Sequence, residues 1–163
     1  MKKYIILITA VLILLLAGCQ SKDKKQKVNI PEQEQVVREK TSDFIGANDS
    51  AMVENKGEGE AVTYTKNGNQ VISQRKYQEK LFELDAEVEY FYSDAGTISE
   101  IVAVFDGIER DAIISKMVQE LGDPQEKQEE TAETQFRYFW EKDGKTYTLL
   151  DPQNAAPAVI IQG

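Results

Sequence analysis

Apolar and polar residues alternate most regularly between residues 82 and 92, and this alternation predicts a β-strand. Every second position carries an apolar or aromatic side chain that would face a core: Phe82, Leu84, Ala86, Val88, Tyr90 and Tyr92. The positions between them place carboxylates on the opposite side: Glu83, Asp85, Glu87 and Glu89. Antiparallel sheets often leave one side in water, so we expect a solvated outer face. The alternative is a face that docks a basic segment of a partner protein through its charge.

Turn-forming residues divide the flanking sequence into further strands. Asn67-Gly68 and Asp143-Gly144 predict tight hairpin turns, because both positions of each pair tolerate a positive φ. Asp94-Ala95-Gly96 predicts another turn. Strands are then expected at residues 61–65, from 71 onward, and at 98–105, 136–141 and 146–150. Residues 159–161 follow Pro157 and are predicted to form an edge strand.

One amphipathic helix is predicted between the second and third hairpins. Ile113, Met117 and Leu121 recur at every fourth position and form an apolar stripe. Asp106 is expected to cap the start of this helix, and Gly122 to end it in a left-handed conformation. The predicted fold class is therefore α+β: an antiparallel sheet of hairpins covered on one face by one amphipathic helix.

The first residues of the chain form an apolar run preceded by Lys2 and Lys3. This run is shorter than the ~20 residues that a membrane-spanning helix needs, and it has the layout of a secretory signal. It ends in four residues that resemble the lipobox of bacterial lipoproteins: Leu16, Ala17, Gly18 and Cys19. The resemblance implies that residues 1–18 are a signal peptide and that the peptidase recognises the three residues before Cys19. It also implies a diacylglyceryl thioether, and often an amide-linked acyl chain such as palmitate, on Cys19.

The predicted anchor defines a location and a domain layout. Two or three acyl chains hold a protein stably on a membrane. Residues 19–43 are polar and charged and are expected to form a flexible tether, followed by a single extracytoplasmic domain at residues 44–163. We expect the plasma membrane of a Gram-positive cell. In a Gram-negative cell, Gln20 after the lipidated residue would direct the protein to the outer membrane, by resemblance to the known sorting pattern.

Composition excludes several classes of chemistry. Cys19 is the one cysteine, and the sequence contains no histidine. Disulfides, thiol catalysis, Ser-His-Asp triads and zinc sites built on histidine or thiolate are therefore excluded once lipid occupies Cys19. The formal net charge of −9 argues against nucleic acid as a partner. We expect no cofactor and no metal.

Three further patterns in the sequence are better explained by structure than by chemistry. Ser73-Gln-Arg-Lys76 has the spacing of the nucleophile motif of penicillin-binding enzymes, but it lies in a predicted strand or loop instead of at a helix start. Residues 125–134 are predicted to form an acidic, solvated loop without the spacing of a calcium site. Aromatic residues at strand spacing are interpreted as core: Tyr90, Tyr92, Phe136, Tyr138 and Trp140.

A second resemblance concerns the helix and the strand after it. Residues 113–121, then Gly122-Asp123-Pro124, then residues 136–140, are similar to a pattern in BamE/SmpA-like and β-lactamase-inhibitor-like lipoprotein domains. That resemblance implies binding or assembly without catalysis. We therefore expect a membrane-anchored, non-catalytic module that binds another envelope protein. The alternatives are a receptor for a small ligand or peptide and, less favoured, an enzyme that uses carboxylate, Ser or Lys chemistry.

Overall fold

A computed structural model describes residues 40–131 and 135–163 of the chain. The lipobox and nearly all of the predicted tether lie outside these described residues. The folded part includes more of the chain than predicted, because Ser42 and Phe44 are buried in a short 3-10 helix at Thr41–Phe44. The predicted boundary between residues 43 and 44 therefore falls inside a packed element.

Two α-helices and eight strands follow this turn in the described chain, and all the strands join one antiparallel sheet in the order β1-β2-β3-β4-β8-β7-β6-β5. The elements are α1 (Asp49–Lys56), β1 (Glu60–Lys66), β2 (Asn69–Leu81), β3 (Leu84–Tyr92), β4 (Ile98–Val104), α2 (Arg110–Leu121), β5 (Glu126–Gln128), β6 (Arg137–Lys142), β7 (Lys145–Leu150) and β8 (Ala158–Gln162). The class is α+β as predicted, but the sheet is larger than a set of hairpins under one helix.

The sheet is built from two halves of the same plan. Each half is an α-helix followed by four strands that pair in sequence order, and the halves meet where β4 pairs with β8. This pairing corrects the prediction that residues 159–161 form an edge strand. Ile161 lies between Ile101 of β4 and Tyr147 of β7. Since β8 is apolar at consecutive positions on both of its faces, the centre of the sheet suits it better than an edge does.

The turn between β2 and β3 corrects a second prediction. Phe82 and Glu83 have φ values of 54° and 63° and connect Leu81 directly to Leu84. A two-residue hairpin loop of type I′ requires positive φ at both central residues, and here non-glycine residues adopt it. Glu83 therefore lies in a turn, outside the strand that carries the other predicted carboxylates.

Helix α2 begins later than predicted. Gly107 turns the chain with φ 70°, so Asp106 does not cap the helix, and Glu109 takes the N-cap position without a side-chain hydrogen bond. The predicted end is confirmed, since Gly122 has φ 91° and donates its N–H to the Val118 carbonyl. The predicted loop at 125–134 contains a short strand, β5, which pairs with β6.

The core lies between the helices and one face of the sheet. Two rows of side chains cross this face in register from β2 to β6: Tyr77, Val88, Ala103, Val159, Leu149 and Tyr138 in one row, and Arg75, Tyr90, Ile101, Ile161, Tyr147 and Trp140 in the other. The described helical elements add Phe44, Met52, Ile113 and Met117 to the same core. The opposite face of the sheet, called the open face below, carries the residues between these rows.

Candidate functional site

Partly buried apolar side chains cross the middle of the open face. One row of paired residues crosses four neighbouring strands, in the order Val102 of β4, Ile160 of β8, Thr148 of β7 and Phe139 of β6. Val104 and Leu150 lie beside them, across Ala158. We call the following residues the apolar band, and each is only partly buried: Val102, Val104, Phe139, Leu150 and Ile160. A sheet face in contact with water alone usually carries polar residues at such positions, so this arrangement is typical of a surface that binds.

Sequence reasoning missed the apolar band, although a signal for it was present. Residues 101–104 and 159–161 are apolar at consecutive positions, without the alternation of a half-buried strand. Such a run indicates a strand that meets apolar surroundings on both faces. The pattern alone does not say whether a helix, another sheet or a partner supplies the second contact.

The predicted acidic row lies at one end of the open face, and lysines of the same chain accompany it. Asp85, Glu87 and Glu89 alternate along β3 as expected. Lys76 pairs with Glu89 and lies 3.7 Å from Glu87, and the Nζ of Lys80 lies 3.0 Å from Asp85. Glu89 and Asp85 are therefore each opposed by a lysine on β2, whereas Glu87 lies opposite Gln78 and shares Lys76 with Glu89.

Glu83 completes this pattern from its position in the turn. It pairs with Lys116 of α2, and the hydrogen bond from Lys116 lowers the pKa of the Glu83 carboxyl. Exposed pairs of this kind contribute little to stability, but they cancel most of the local charge. The use of the row as a partner face stays a prediction, and the surface is less acidic than the sequence suggests.

A polar network fixes the start of α1 against the covered face of the sheet. Arg75 of β2 is 5% exposed and donates two hydrogen bonds of 2.8 Å to the carboxylate of Asp49. It also donates to the Glu58 carbonyl, and Tyr92 donates its hydroxyl to Asp49 at 2.8 Å. These bonds, above all those from Arg75, hold the pKa of Asp49 below its usual value. Burial raises the pKa of Tyr92, so its hydroxyl stays protonated.

A second cluster holds the end of α1. Lys56 pairs with Glu79, and the Tyr90 hydroxyl donates to the same carboxylate. The Lys56 ammonium lies 5.0 Å from the centre of the Phe44 ring and 5.3 Å from that of Tyr90. Burial raises the pKa of Tyr90. The charged groups of both clusters are paired within a packed layer, and we interpret the clusters as structural supports for α1.

The residues of the penicillin-binding pattern lie on a strand. Ser73 belongs to β2 and donates its hydroxyl to the Val62 carbonyl at 3.1 Å, while Lys76 pairs with Glu89. The nucleophile motif of those enzymes requires a helix start at a cleft, and this segment has neither.

Three of the five aromatic residues predicted to form core do so, and the other two, Tyr92 and Tyr138, are partly buried against it. Tyr90, Phe136 and Trp140 are at most 1% exposed. Tyr138 stacks on Phe136 with ring centres 4.6 Å apart, and the Trp140 indole donates to the Gly122 carbonyl at 2.9 Å. The last bond joins β6 to the end of α2.

An open cavity of about 530 Å³ lies at the start of α2. Arg110 crosses it, with its guanidinium 4.4 Å from the Phe136 ring centre and 3.2 Å from a carboxylate oxygen of Asp151. Its other lining residues are Gly107, Ile108, Glu109, Asp111 and Pro157.

The described residues do not include a candidate metal site. In residues 40–131 and 135–163, no group of three or more acidic, histidine or cysteine side chains is arranged to hold a metal ion. Glu133 of the predicted acidic loop lies outside these ranges.

The comparisons with known proteins give one similar structure. Neither a protein-family model nor a curated protein matches this chain. The crystal structure of a DUF4309 family protein (YjgB) from Bacillus subtilis is similar over 71% of this chain and 78% of that one, with 15% identity and a TM-score of 0.44. No helix in the described part of this chain is both long enough and apolar enough to cross a membrane.

Proposed function

We propose that this chain is an extracytoplasmic lipoprotein, held on the plasma membrane through Cys19, whose domain binds another envelope protein through the open face of its sheet. The binding is non-catalytic. The observation that carries this proposal is the apolar band at the centre of a face on which the described helices do not pack.

The open face has the composition of a protein interface. Such interfaces combine an apolar centre with a polar rim that remains partly in water. Here Val102, Ile160 and Phe139 supply the centre. The lysine and carboxylate pairs of β2 and β3 supply one rim, and the pair of Arg137 with Glu126, 3.6 Å apart, supplies the other. Charges of both signs at the rim would orient a partner whose own charges are complementary, and they would contribute less to the affinity.

Binding is tested by crosslinking the full-length protein in cells and identifying what is captured by mass spectrometry. Phe139→Glu places a charge in the apolar band and should abolish capture of a specific partner, while Thr65→Glu, on exposed β1, should leave it intact. Val102→Thr is a milder variant that keeps the side-chain shape, so a folded protein with weaker capture remains measurable. Equal capture by all three variants, each shown to be folded, would contradict binding through this face.

The anchor is tested separately. Cys19→Ser should abolish labelling of the protein with a radioactive or clickable fatty acid, because the thioether sulfur is lost. Normal labelling of that variant would contradict the proposed anchor and would leave the binding proposal untouched.

A receptor for a small ligand is the second candidate, and the open cavity beside Arg110 favours it. A guanidinium next to an aromatic ring suits a ligand that carries both a carboxylate and an apolar group. Failure to capture a protein partner, together with an Arg110-dependent rise in the melting temperature on addition of such a compound, would favour this function over the first.

A further inference from the structure

Strand β1 ends the sheet with an edge that has no strand partner in the described chain. It pairs with β2 on one side only, and all of its residues are exposed. The two large apolar side chains that are most exposed in the described residues both lie on it, Val62 at 39% and Tyr64 at 41%. Natural edge strands are usually short, bulged, or blocked by charge, because an open edge pairs with other chains. The pairing of β1 with β2 shifts register between Val62 and Thr63, but the extra residue is Ser73 of β2, so β1 itself contains no inserted residue.

The sequence of β1 is complementary to itself. It reads Glu60-Ala-Val-Thr-Tyr-Thr-Lys66. When two copies run antiparallel with Thr63 facing Thr63, Glu60 of each copy lies opposite Lys66 of the other. Val62 of each copy then lies opposite Tyr64 of the other, and Ala61 opposite Thr65. Opposite charges, and pairs of an aromatic with a β-branched residue, are the cross-strand pairs that stabilise antiparallel sheets.

We propose that two copies of this chain associate edge to edge through β1, in the register centred on Thr63, to form one continuous sheet. The symmetry of the contact is that of a two-fold dimer, in which the same patch serves both subunits. The contact involves one strand per subunit, so we expect it to bury less than the roughly 1,600 Å² of a standard interface and to be reversible. This inference does not depend on the lipid anchor or on the open face.

The self-complementary charge pattern is what favours a second copy over an unrelated peptide. An unrelated segment would need a basic group and an acidic group in the opposite order and at the same spacing. β1 provides both itself, with charges of opposite sign only at its two ends. The edge at β5 differs, since it has three residues, two of them charged.

A cysteine placed at the centre of the contact tests the register. In the full-length protein, Thr63→Cys should give a disulfide-linked dimer under mild oxidation, because directly opposed Cβ atoms lie ~5 Å apart. Thr65→Cys is the matched control on the same strand face. Its two copies would be about 13 Å apart, too far for a disulfide. A mixture of differently tagged Ala61→Cys and Thr65→Cys proteins should crosslink again. The unmodified protein measures any background from Cys19.

Charge reversal tests the complementarity in the Thr63→Cys background. Glu60→Lys alone, or Lys66→Glu alone, places like charges opposite each other twice and should lower the crosslinked fraction about fivefold or more. A mixture of these two variants restores opposite charges and should restore crosslinking. Lys66 also lies 2.6 Å from Asp94 of its own chain, so Asp94→Asn serves as the control and should crosslink normally.

Several outcomes would overturn the proposal. Equal crosslinking by Thr63→Cys and Thr65→Cys would show that the disulfides arise from random collision of the proteins. An unchanged crosslinked fraction in Glu60→Lys would show that the two β1 strands do not pair in the register centred on Thr63. Crosslinking of Thr63→Cys to a different protein, without dimer, would make β1 a docking edge for another chain. A melting curve of each variant shows whether it is folded, so that loss of the crosslink can be distinguished from loss of folding.

Discussion

The two halves of the molecule share a plan, a helix followed by four paired strands, but they attach their helices by different chemistry. Helix α2 packs through Ile113 and Met117, both fully buried. Helix α1 buries Met52 alone and is held by ion pairs at each end, to Arg75 and to Glu79. Apolar burial therefore contributes more to the attachment of α2, which also carries the ion pairs of Arg110 and Lys116, and ion pairs contribute more to the attachment of α1. The two halves should respond differently to cavities, to acid and to changes at their helix caps.

Met117→Ala should have the largest effect on stability. It removes a fully buried side chain from the contact between α2 and the sheet. Deletions of this kind lower the free energy of unfolding by about 2–5 kcal/mol. Chemical denaturation measures the loss. Lys116→Ala on the exposed side of the same helix is the control and should change the free energy by less than about 1 kcal/mol. Equal effects at the two positions would contradict apolar docking of α2.

Arg75→Met should come next and should act on the other half. It keeps the length of the side chain but removes the two hydrogen bonds from Arg75 and leaves the Asp49 carboxylate with the one from Tyr92. A partly buried carboxylate that loses part of its hydrogen bonding costs about 1–3 kcal/mol. The double variant with Asp49→Asn should lose less than the sum of the two single variants, because the pair is removed together. Additive losses would show that the two residues do not act as a pair.

Much of the fold follows from local signals, and those predictions are confirmed. The Asn67-Gly68 and Asp143-Gly144 turns occur with positive φ, and β3 alternates from Leu84 onward. The position of β8 in the sheet could not be predicted from local signals, because its pairing with β4 joins segments far apart in sequence. Local patterns define hairpins, but the order in which hairpins join depends on contacts that no local window contains.

The candidate site was predictable in part. Three of the four predicted carboxylates lie together on β3, but their pairing with lysines depends on the register of β2 against β3. The Phe82-Glu83 turn was hidden because neither residue is typical of a hairpin loop, so the alternation continued through it. The apolar band had a signal in residues 101–104, although the sequence could not show which face the helices cover.

Acid should weaken the attachment of helix α1. The pKa of Asp49 is lowered in the folded state, chiefly by the hydrogen bond from Arg75. A lowered folded pKa means that this carboxylate stabilises the protein above its unfolded pKa of about 3.9 and loses that contribution as pH falls through the folded value. The stability difference between wild type and Asp49→Asn should therefore shrink between pH 6 and pH 3. Urea titrations across this range measure it, and a constant difference would contradict the role of the charged pair.

The smallest predicted effect concerns the helix caps, where the halves differ again. Asn48 caps α1 by accepting the Ala51 N–H at 2.9 Å, whereas Glu109 at the start of α2 makes no such bond. Asn48→Ala should therefore lower the free energy of unfolding by about 1 kcal/mol. Glu109→Ser introduces a hydroxyl of the right length at an extended backbone position, and it should raise that energy by about 0.5–1 kcal/mol. Thermal melting of the two variants measures both changes. A loss of stability in Glu109→Ser would mean that the glutamate supports α2 through its charge at the positive end of the helix dipole instead of through a cap.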